Sequence, residues 1–154
     1  MQQWTEAAIA AALEGKFFTL NGRDIMGEAR EREAERVEAV TRARDLKREQ
    51  VIKAIRKSQA ITAANILLAV SLAHDIPVTA IVSKARAKKV IVARHHAVAL
   101  MGELTGMSTT RIAEAVNLAD HSTVVYAQKT WGSWRGATYR QQDTEARRMM
   151  GIVA

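Results

Sequence analysis

Helix-breaking residues are scarce in this sequence, and Pro77 is the only proline among its 154 residues. Alanine, glutamate, arginine and lysine recur along the chain, and all four favour helices. Because 48% of the residues are hydrophobic, the chain also has enough apolar side chains for a core. Together these features predict an all-α protein. No stretch approaches the roughly 18 apolar, uncharged residues of a membrane span, so we expect no membrane partner.

The residue types also limit the chemistry that we expect. The sequence contains no cysteine, which excludes disulfides and thiolate metal sites and fits a reducing cytoplasm. Its first residues, Met1–Glu6, lack the basic region and apolar run of a signal peptide. Adjacent histidines on a helix, such as His95 and His96, point about 100° apart, so we expect neither a metal site nor another cofactor. No nucleophile stands in a recognisable arrangement with a histidine and an acid, and we expect no enzyme activity.

Residues 1–60 are expected to form a helical extension. A short helix over 4–14 and a turn over 16–23 precede a long charged helix that covers about 24–58 and is roughly 50 Å long. Opposite charges recur three and four residues apart along it, which stabilises a solvent-exposed helix. Its apolar stripe is thin and follows no clean heptad. A solvated spacer and a surface for a protein partner or a second copy of the chain both stay open for this helix.

Positive charge is concentrated in the middle of the chain. No acid lies between Asp75 and Glu103, whereas this stretch carries five basic residues: Lys84, Arg86, Lys88, Lys89 and Arg94. Such an unbalanced surface suits a polyphosphate backbone, and the net charge of +7 points the same way. A solvated face or a membrane-surface patch is the alternative, and charge alone does not choose between them.

The stretch that follows has the pattern of a helix-turn-helix. Ser108 is placed to cap a short helix ending near Val116, and Asn117, which tolerates the left-handed conformation, predicts a sharp turn. Asp120 is placed to cap a second helix that runs to about Trp131. The first turn of that helix then presents three polar side chains outward: His121, Ser122 and Thr123. Helix-turn-helix proteins read DNA base edges with such a turn, although structural helical hairpins share the pattern.

Residues 65–131 resemble the C-terminal DNA-binding domain of DnaA, the bacterial chromosomal replication initiator. The matching elements are Ser83-Lys84-x-Arg86, Ala93-Arg94-x-x-Ala97, Glu103-Leu104-Thr105 and Asp120-His121-Ser122-Thr123-Val124. The last is close to the family's Asp-His-Thr-Thr-Val and is the most specific of the four. The resemblance implies double-stranded DNA as the partner. It divides the chain into the helical extension, a helix-turn-helix DNA-binding domain over 61–134, and a C-terminal tail or helix over 135–154.

The resemblance also implies a role for each matching residue. Arg86 would enter the minor groove, and Arg94 and His95 would face the major groove or its phosphates. Bases and the adjacent backbone would be reached by Asp120, His121, Ser122 and Thr123. Near the phosphates we expect Thr109 and Thr110. Sequence-independent attraction to the backbone is expected from lysines, namely Lys84, Lys88, Lys89 and Lys129.

Three positions depart from the family pattern. Ala119 stands where the family usually has arginine, Gly102 where it has lysine, and His95 where it has glutamine. Loss of the arginine and the lysine indicates a changed target sequence or weaker binding. The familiar DnaA box is therefore a first approximation to the target.

The 154 residues contain no Gly-x-x-x-x-Gly-Lys-Ser/Thr phosphate loop, so we expect no ATPase activity. We expect a cytoplasmic, nucleoid-associated regulator of transcription or replication that reads a DnaA-box-like site, of the kind a phage or mobile element carries. The alternative is a protein-interaction adaptor. In that case residues 1–60 bind a partner such as RNA polymerase or the initiator, and DNA binding serves as a tether.

Overall fold

The computed structural model of the protein describes residues 19–20, 23–58, 60–134, 136 and 138–152. The short helix expected over 4–14 lies outside the described residues. Two strands, β1 (Thr19–Leu20) and β2 (Arg23–Asp24), pair antiparallel, with Thr19 opposite Asp24 and Leu20 opposite Arg23. The two residues between the strands lie outside the described part of the chain.

All other regular elements of the described chain are helices, which confirms the all-α prediction. Its helices are α1 (Ile25–Lys57), α2 (Ala63–His74), α3 (Val78–Ile81), α4 (Lys88–Leu104), α5 (Thr109–Ala115), α6 (His121–Trp134) and α7 (Arg140–Met149). Among the described residues, none of these helices combines the length and apolar character needed to cross a bilayer.

The chain forms two compact units, residues 1–47 and 48–154, and the division falls within α1. In the first unit, two ion pairs join residues four apart on α1: Arg32 with Glu28 and Arg42 with Glu38. Val37 and Val40 are 56% and 63% exposed, and Leu46 is 61% exposed. Leu46 follows Val37 by nine residues and therefore lies on the opposite side of the helix. The exposed apolar residues form no continuous stripe.

The second unit is built around α4. Helices α2, α5, α6 and α7 pack against α4 or against one another, and their buried side chains form one hydrophobic core. Ile55 from α1 is 5% exposed and Met149 from α7 is 4% exposed, and both belong to that core. Burying such a side chain stabilises a fold by about 1.5–3 kcal/mol. The compact unit therefore begins before residue 61 and includes α7.

Local hydrogen bonds explain where several helices begin and end. The Thr62 hydroxyl accepts from the backbone N–H of Asn65 over 3.2 Å at the start of α2, and Asp75 ends that helix with φ +55°. The Ser108 hydroxyl accepts from the N–H of Arg111 over 3.4 Å at the start of α5. Gly106 has φ +62°, a conformation that glycine adopts without strain. The cap expected at the start of α5 is present.

Helix α6 is longer than the sequence indicated. It continues through Gly132 to Trp134, whereas the sequence indicated an end near Trp131. Trp131 is 1% exposed, and the ring of Trp134 stacks on His95 with 5.3 Å between centroids. These packing contacts hold the last turn helical despite the glycine.

Candidate nucleic-acid interface

Helices α5 and α6 form a helix-turn-helix. Asn117 has φ +54°, which produces the sharp turn expected between them. The N–H of Leu118 then donates to the carbonyl of Ala113 over 2.8 Å, and Leu118 packs against the core. The inner faces of the two helices are buried through Ile112, Ala113, Val116, Val124 and Ala127. Because that face points inward, the first turn of α6 faces solvent.

Asp120 organises the first turn of α6. Its carboxylate accepts from the backbone N–H of Ser122 over 2.9 Å and from the Ser122 hydroxyl over 2.8 Å. These bonds, the backbone one above all, hold the pKa of Asp120 below its ordinary value, so the carboxylate is ionised at neutral pH. Nδ1 of His121 lies 3.2 Å from the same carboxylate, and the His121 side chain is 68% exposed. Ser122 is exposed and Thr123 is half-buried. The turn therefore displays fixed polar groups to solvent.

The exposed face of α6 continues past this turn. Val125 is 53% exposed and Tyr126 is 64% exposed, and Lys129 is exposed one turn further on. Val124 and Ala127, by contrast, are fully buried in the core. Val125 follows His121 by four residues and so shares its face, a periodicity that was available in the sequence. An exposed apolar group there is suited to contact the methyl group of thymine.

The segment between α3 and α4 carries the basic side chains. Lys84, Arg86, Lys88 and Lys89 are all exposed, the last two in the first turn of α4. We call residues 82–87 the basic loop. Because α4 begins at Lys88, two of the four charges are carried on a rigid helix and two on the loop.

Arg94 holds the basic loop in place. Its Nε donates to the carbonyl of Ile81 over 2.7 Å, and its Nη2 donates to the carbonyls of Ser83 and Ala85. Arg94 is half-buried, and burial lowers the pKa of its guanidinium. The sequence resemblance implied that Arg94 faces the DNA groove or phosphates. In the structure its Nε and Nη2 instead bind the carbonyls of Ile81, at the end of α3, and of Ser83 and Ala85 in the basic loop.

The basic loop and the turn of the helix-turn-helix are neighbours. The side-chain amide of Asn117 donates from Nδ2 to the carbonyl oxygen of Val82 over 3.2 Å. Val82 opens the loop that carries Lys84 and Arg86, and Asn117 precedes α6 by four residues. This bond brings the two segments with the candidate DNA-contacting residues together.

His95 lies in an aromatic cluster, whereas the sequence resemblance implied that it faces the groove. It is 7% exposed, stacks on Trp134 at an interplanar angle of 14°, and meets Tyr126 edge-on at 5.9 Å. Burial lowers the pKa of His95, and the nearby charge of Arg94 lowers it further. A neutral imidazole packed between two rings of α6 positions that helix against α4.

Two comparisons with known proteins bear on this arrangement. Residues 63–130 match the protein family described as the bacterial dnaA protein helix-turn-helix. Residues 63–130 are a DnaA-type helix-turn-helix domain. The chain is also 37% identical over 75 residues to the chromosomal replication initiator protein DnaA of Nautilia profundicola. That alignment covers 49% of this chain and 17% of the relative. The DnaA-type domain contains the basic loop and most of α6, and it supports binding to DNA.

The remaining sequence-predicted residues lie at the helix-turn-helix of the DnaA-type domain. Thr109 is half-buried and Thr110 is exposed, both in the first turn of α5. Lys129 is on the outer face of α6. Their contacts with DNA stay predictions.

A buried network attaches α7 to the DnaA-type domain. The ring of His96 is fully buried and stacks on Trp131 at 4.1 Å. Its Nδ1 lies 3.0 Å from Nε2 of His74, and its Nε2 lies 3.2 Å from Oδ1 of Asp143 on α7. The other carboxylate oxygen of Asp143 accepts from Nε of Arg147 over 3.0 Å. His95 and His96, which were expected to point about 100° apart, therefore stack on different tryptophans, Trp134 and Trp131.

The network shifts the pKa values of its members. Burial, with a smaller contribution from His96, lowers the pKa of His74 to about 4. Burial alone would raise the pKa of Asp143, but hydrogen bonds from His96 and Arg147 outweigh it and lower the pKa to about 2. At neutral pH, His74 is neutral and Asp143 is ionised, the protonation states that keep α7 docked.

Proposed function

We propose that the chain binds double-stranded DNA sequence-specifically, at a site related to the DnaA box. The observation that carries the proposal is the hydrogen bond between Asn117 and Val82. It places the basic loop beside the turn that leads into the solvent-facing start of α6. A helix N-terminus that enters the major groove beside a basic segment is how helix-turn-helix and related proteins dock.

In this proposal the first turn of α6 discriminates between bases. Asp120, His121, Ser122 and Thr123 contact base edges and the adjacent backbone, and Val125 contacts a thymine methyl group. Because the Ser122 hydroxyl donates to Asp120, its oxygen is presented to DNA as an acceptor. Each good contact of this kind contributes about 1–3 kcal/mol of discrimination.

The basic side chains supply affinity. Arg86 enters the minor groove, while the phosphates are contacted by Lys84, Lys88, Lys89, Thr109, Thr110 and Lys129. Each neutralised phosphate releases counterions, so affinity falls with salt. Arg94 and His95 act as positioning residues, since one holds the basic loop and the other packs α6 against α4.

The chain spans 17% of the length of the curated relative, and we propose a role that needs only DNA binding. Its 154 residues contain no Gly-x-x-x-x-Gly-Lys-Ser/Thr sequence, so the role requires no ATP hydrolysis by these residues. We assign it to the control of transcription or replication on the nucleoid.

Equilibrium binding to a library of duplexes tests the proposal. We expect enrichment of one sequence related to the DnaA box. His121→Ala relaxes the preference, whereas Lys88→Ala weakens binding to all sequences alike and reduces the salt slope by about 0.9, the share of one phosphate contact. Wild-type protein with no preference above bulk DNA would contradict specific recognition. Equal effects of the two substitutions would contradict the division of roles.

A second candidate is an adaptor whose N-terminal unit binds a protein partner. The exposed Val37 and Val40 on α1 favour it, because they lie three residues apart on one side of a charged helix. A chain beginning at Arg48, the start of the second compact unit, separates the candidates. Unchanged DNA affinity with a lost cellular effect supports the adaptor. Lost DNA affinity supports self-association through α1.

A further inference from the structure

An open groove of about 810 Å³ lies between the last turns of α1 and the outer face of α7. Its lining includes one acid, Glu145, and four arginines: Arg48, Arg56, Arg140 and Arg148. We call it the arginine groove. Both walls lie outside residues 63–130, so the groove adds a surface to the DnaA-type domain.

Two of the arginines hold the walls together. Arg48 is half-buried, pairs with Glu145 across the groove, and donates to the carbonyl of Leu72 over 3.4 Å. Arg56 donates to the carbonyl oxygen of Arg148 over 3.3 Å, at the C-terminal end of α7. Because Arg48 neutralises Glu145, the lining keeps an excess of positive charge.

The other two arginines are available to a ligand. Arg140 and Arg148 are exposed near the two ends of α7. Within the described part of the chain, the structure shows no hydrogen bond or ion pair for either guanidinium group. Gln141 also lines the groove and is exposed beside Arg140. Arginine and glutamine are among the side chains that contact phosphate oxygens in protein–DNA complexes.

The lining favours a phosphate chain over an acidic protein helix. An amphipathic helix that docks in a groove needs apolar anchors on its floor. The apolar lining residues offer little such surface, because Met149 is 4% exposed and Ile52 is half-buried. Guanidinium groups bind phosphate oxygens in a bidentate manner and need no apolar floor.

We propose that the arginine groove binds the phosphodiester backbone of DNA that flanks the site read by α6, an inference that rests on the proposed DNA-binding function. Arg140 and Arg148 are eight residues apart, about 12 Å along the helix. At about 3.4 Å per nucleotide, that distance spans three to four nucleotides of one strand. Once α6 is bound, the same chain holds the DNA, so weak contacts of the groove with the flanking backbone add to the affinity.

The test compares two duplexes with the full chain. One contains only the preferred site, and the other contains the same site between long flanks. We expect Arg140→Gln with Arg148→Gln to leave binding to the short duplex unchanged. On the long duplex it reduces the salt slope by about 1.8, the share of two phosphate contacts, and weakens binding on the order of tenfold at low salt. The variant Arg140→Lys with Arg148→Lys keeps both charges. It should therefore retain most of the additional affinity that the flanks give the long duplex.

The control removes two exposed charges outside the groove lining, by Arg36→Gln with Lys53→Gln. This control variant should bind both duplexes with nearly wild-type affinity, apart from a small effect of the lower net charge. The proposal would be overturned if the flanks increased the affinity of wild-type protein and of the Arg140→Gln, Arg148→Gln variant by the same factor. A variant that loses binding to vesicles of anionic phospholipid while keeping the gain from the flanks would also overturn it.

The outcome is separable from the proposed function. If wild-type protein shows no sequence preference, specific recognition fails. The groove is then tested on random duplexes of the same two lengths, where the glutamine variant still loses affinity for the longer one. If the preference is present but the flanks add nothing, the groove proposal alone fails.

Discussion

The side chain of Asn117, in the turn of the helix-turn-helix, donates a hydrogen bond to the carbonyl oxygen of Val82, in the basic loop. The 3.2 Å contact joins two segments that lie 35 residues apart in sequence. One segment leads into the proposed base-reading helix, and the other carries Arg86. A single side chain therefore couples the positions of the proposed major-groove and minor-groove contacts.

Replacing Asn117 tests this coupling. Asn117→Gly keeps the positive φ of +54° without strain but removes the amide. A hydrogen bond of this kind contributes about 0.5–1.5 kcal/mol, so we expect DNA binding to weaken by about twofold to tenfold. In a double-mutant cycle with Arg86→Ala, the two losses should be less than additive. Full additivity in binding titrations would show that the bond does not position Arg86.

Arg94 provides a test of positioning against direct contact. Arg94→Lys keeps the charge but loses the planar fork that bonds the carbonyls of Ile81, Ser83 and Ala85. We expect a stability loss of about 1–3 kcal/mol, measured by denaturant unfolding, together with weaker DNA binding. Lys88→Arg is the matched control and should change neither quantity appreciably. If the Arg94→Lys variant binds DNA as tightly as wild type, Arg94 contributes only its positive charge and does not position the basic loop.

Val124 and Val125 are adjacent but face opposite environments. Val124 is fully buried and Val125 is 53% exposed. Val124→Ala should therefore cost about 2 kcal/mol of folding stability through lost burial and a cavity. Val125→Ala should leave the unfolding midpoint unchanged but reduce the preference for thymine at one position of the site. Thermal unfolding and library selection measure the two effects, and a reversed pattern would refute the orientation of α6.

His74 and His95, half-buried and buried respectively, make folding stability depend on pH. The folded-state pKa of His74 is lowered to about 4 and that of His95 is also lowered. Protonation therefore favours the unfolded chain as pH falls below about 6.5. For His74 the loss is complete near pH 4. We expect Tm to drop between about pH 6.5 and 4, with a smaller drop in His74→Gln.

Asp143 acts in a lower pH window. Its folded-state pKa is about 2, below the ordinary value of 3.8, so its contribution is present above about pH 4 and is lost as pH falls toward 2. Asp143→Asn should lower Tm at neutral pH. It should also remove the decrease in Tm between about pH 4 and pH 2. Glu114→Gln, an exposed carboxylate on α5, is the control and should leave the acid limb unchanged. An unaltered acid limb in Asp143→Asn would assign the drop to other carboxylates.

The sequence by itself determined the local features of the interface. Ser108 and Asp120 are caps, and Asn117 has the positive φ expected of it, because each depends on hydrogen bonds and sterics within a few residues. The all-α fold and the DnaA-type domain could also be predicted from the sequence. The first follows from the helix-forming composition, and the second from the contiguous motif at Asp120–Val124.

Only the tertiary structure decided which way several side chains point and what docks on what. His95 is buried because Trp134 and Tyr126 from another helix cover it, and Arg94 is occupied because the loop folds back over it. Helix α7 joins the core through Asp143 and its buried apolar residues. Such outcomes depend on packing between segments distant in sequence, and helical periodicity defines the faces of a helix without saying which neighbour will cover each one.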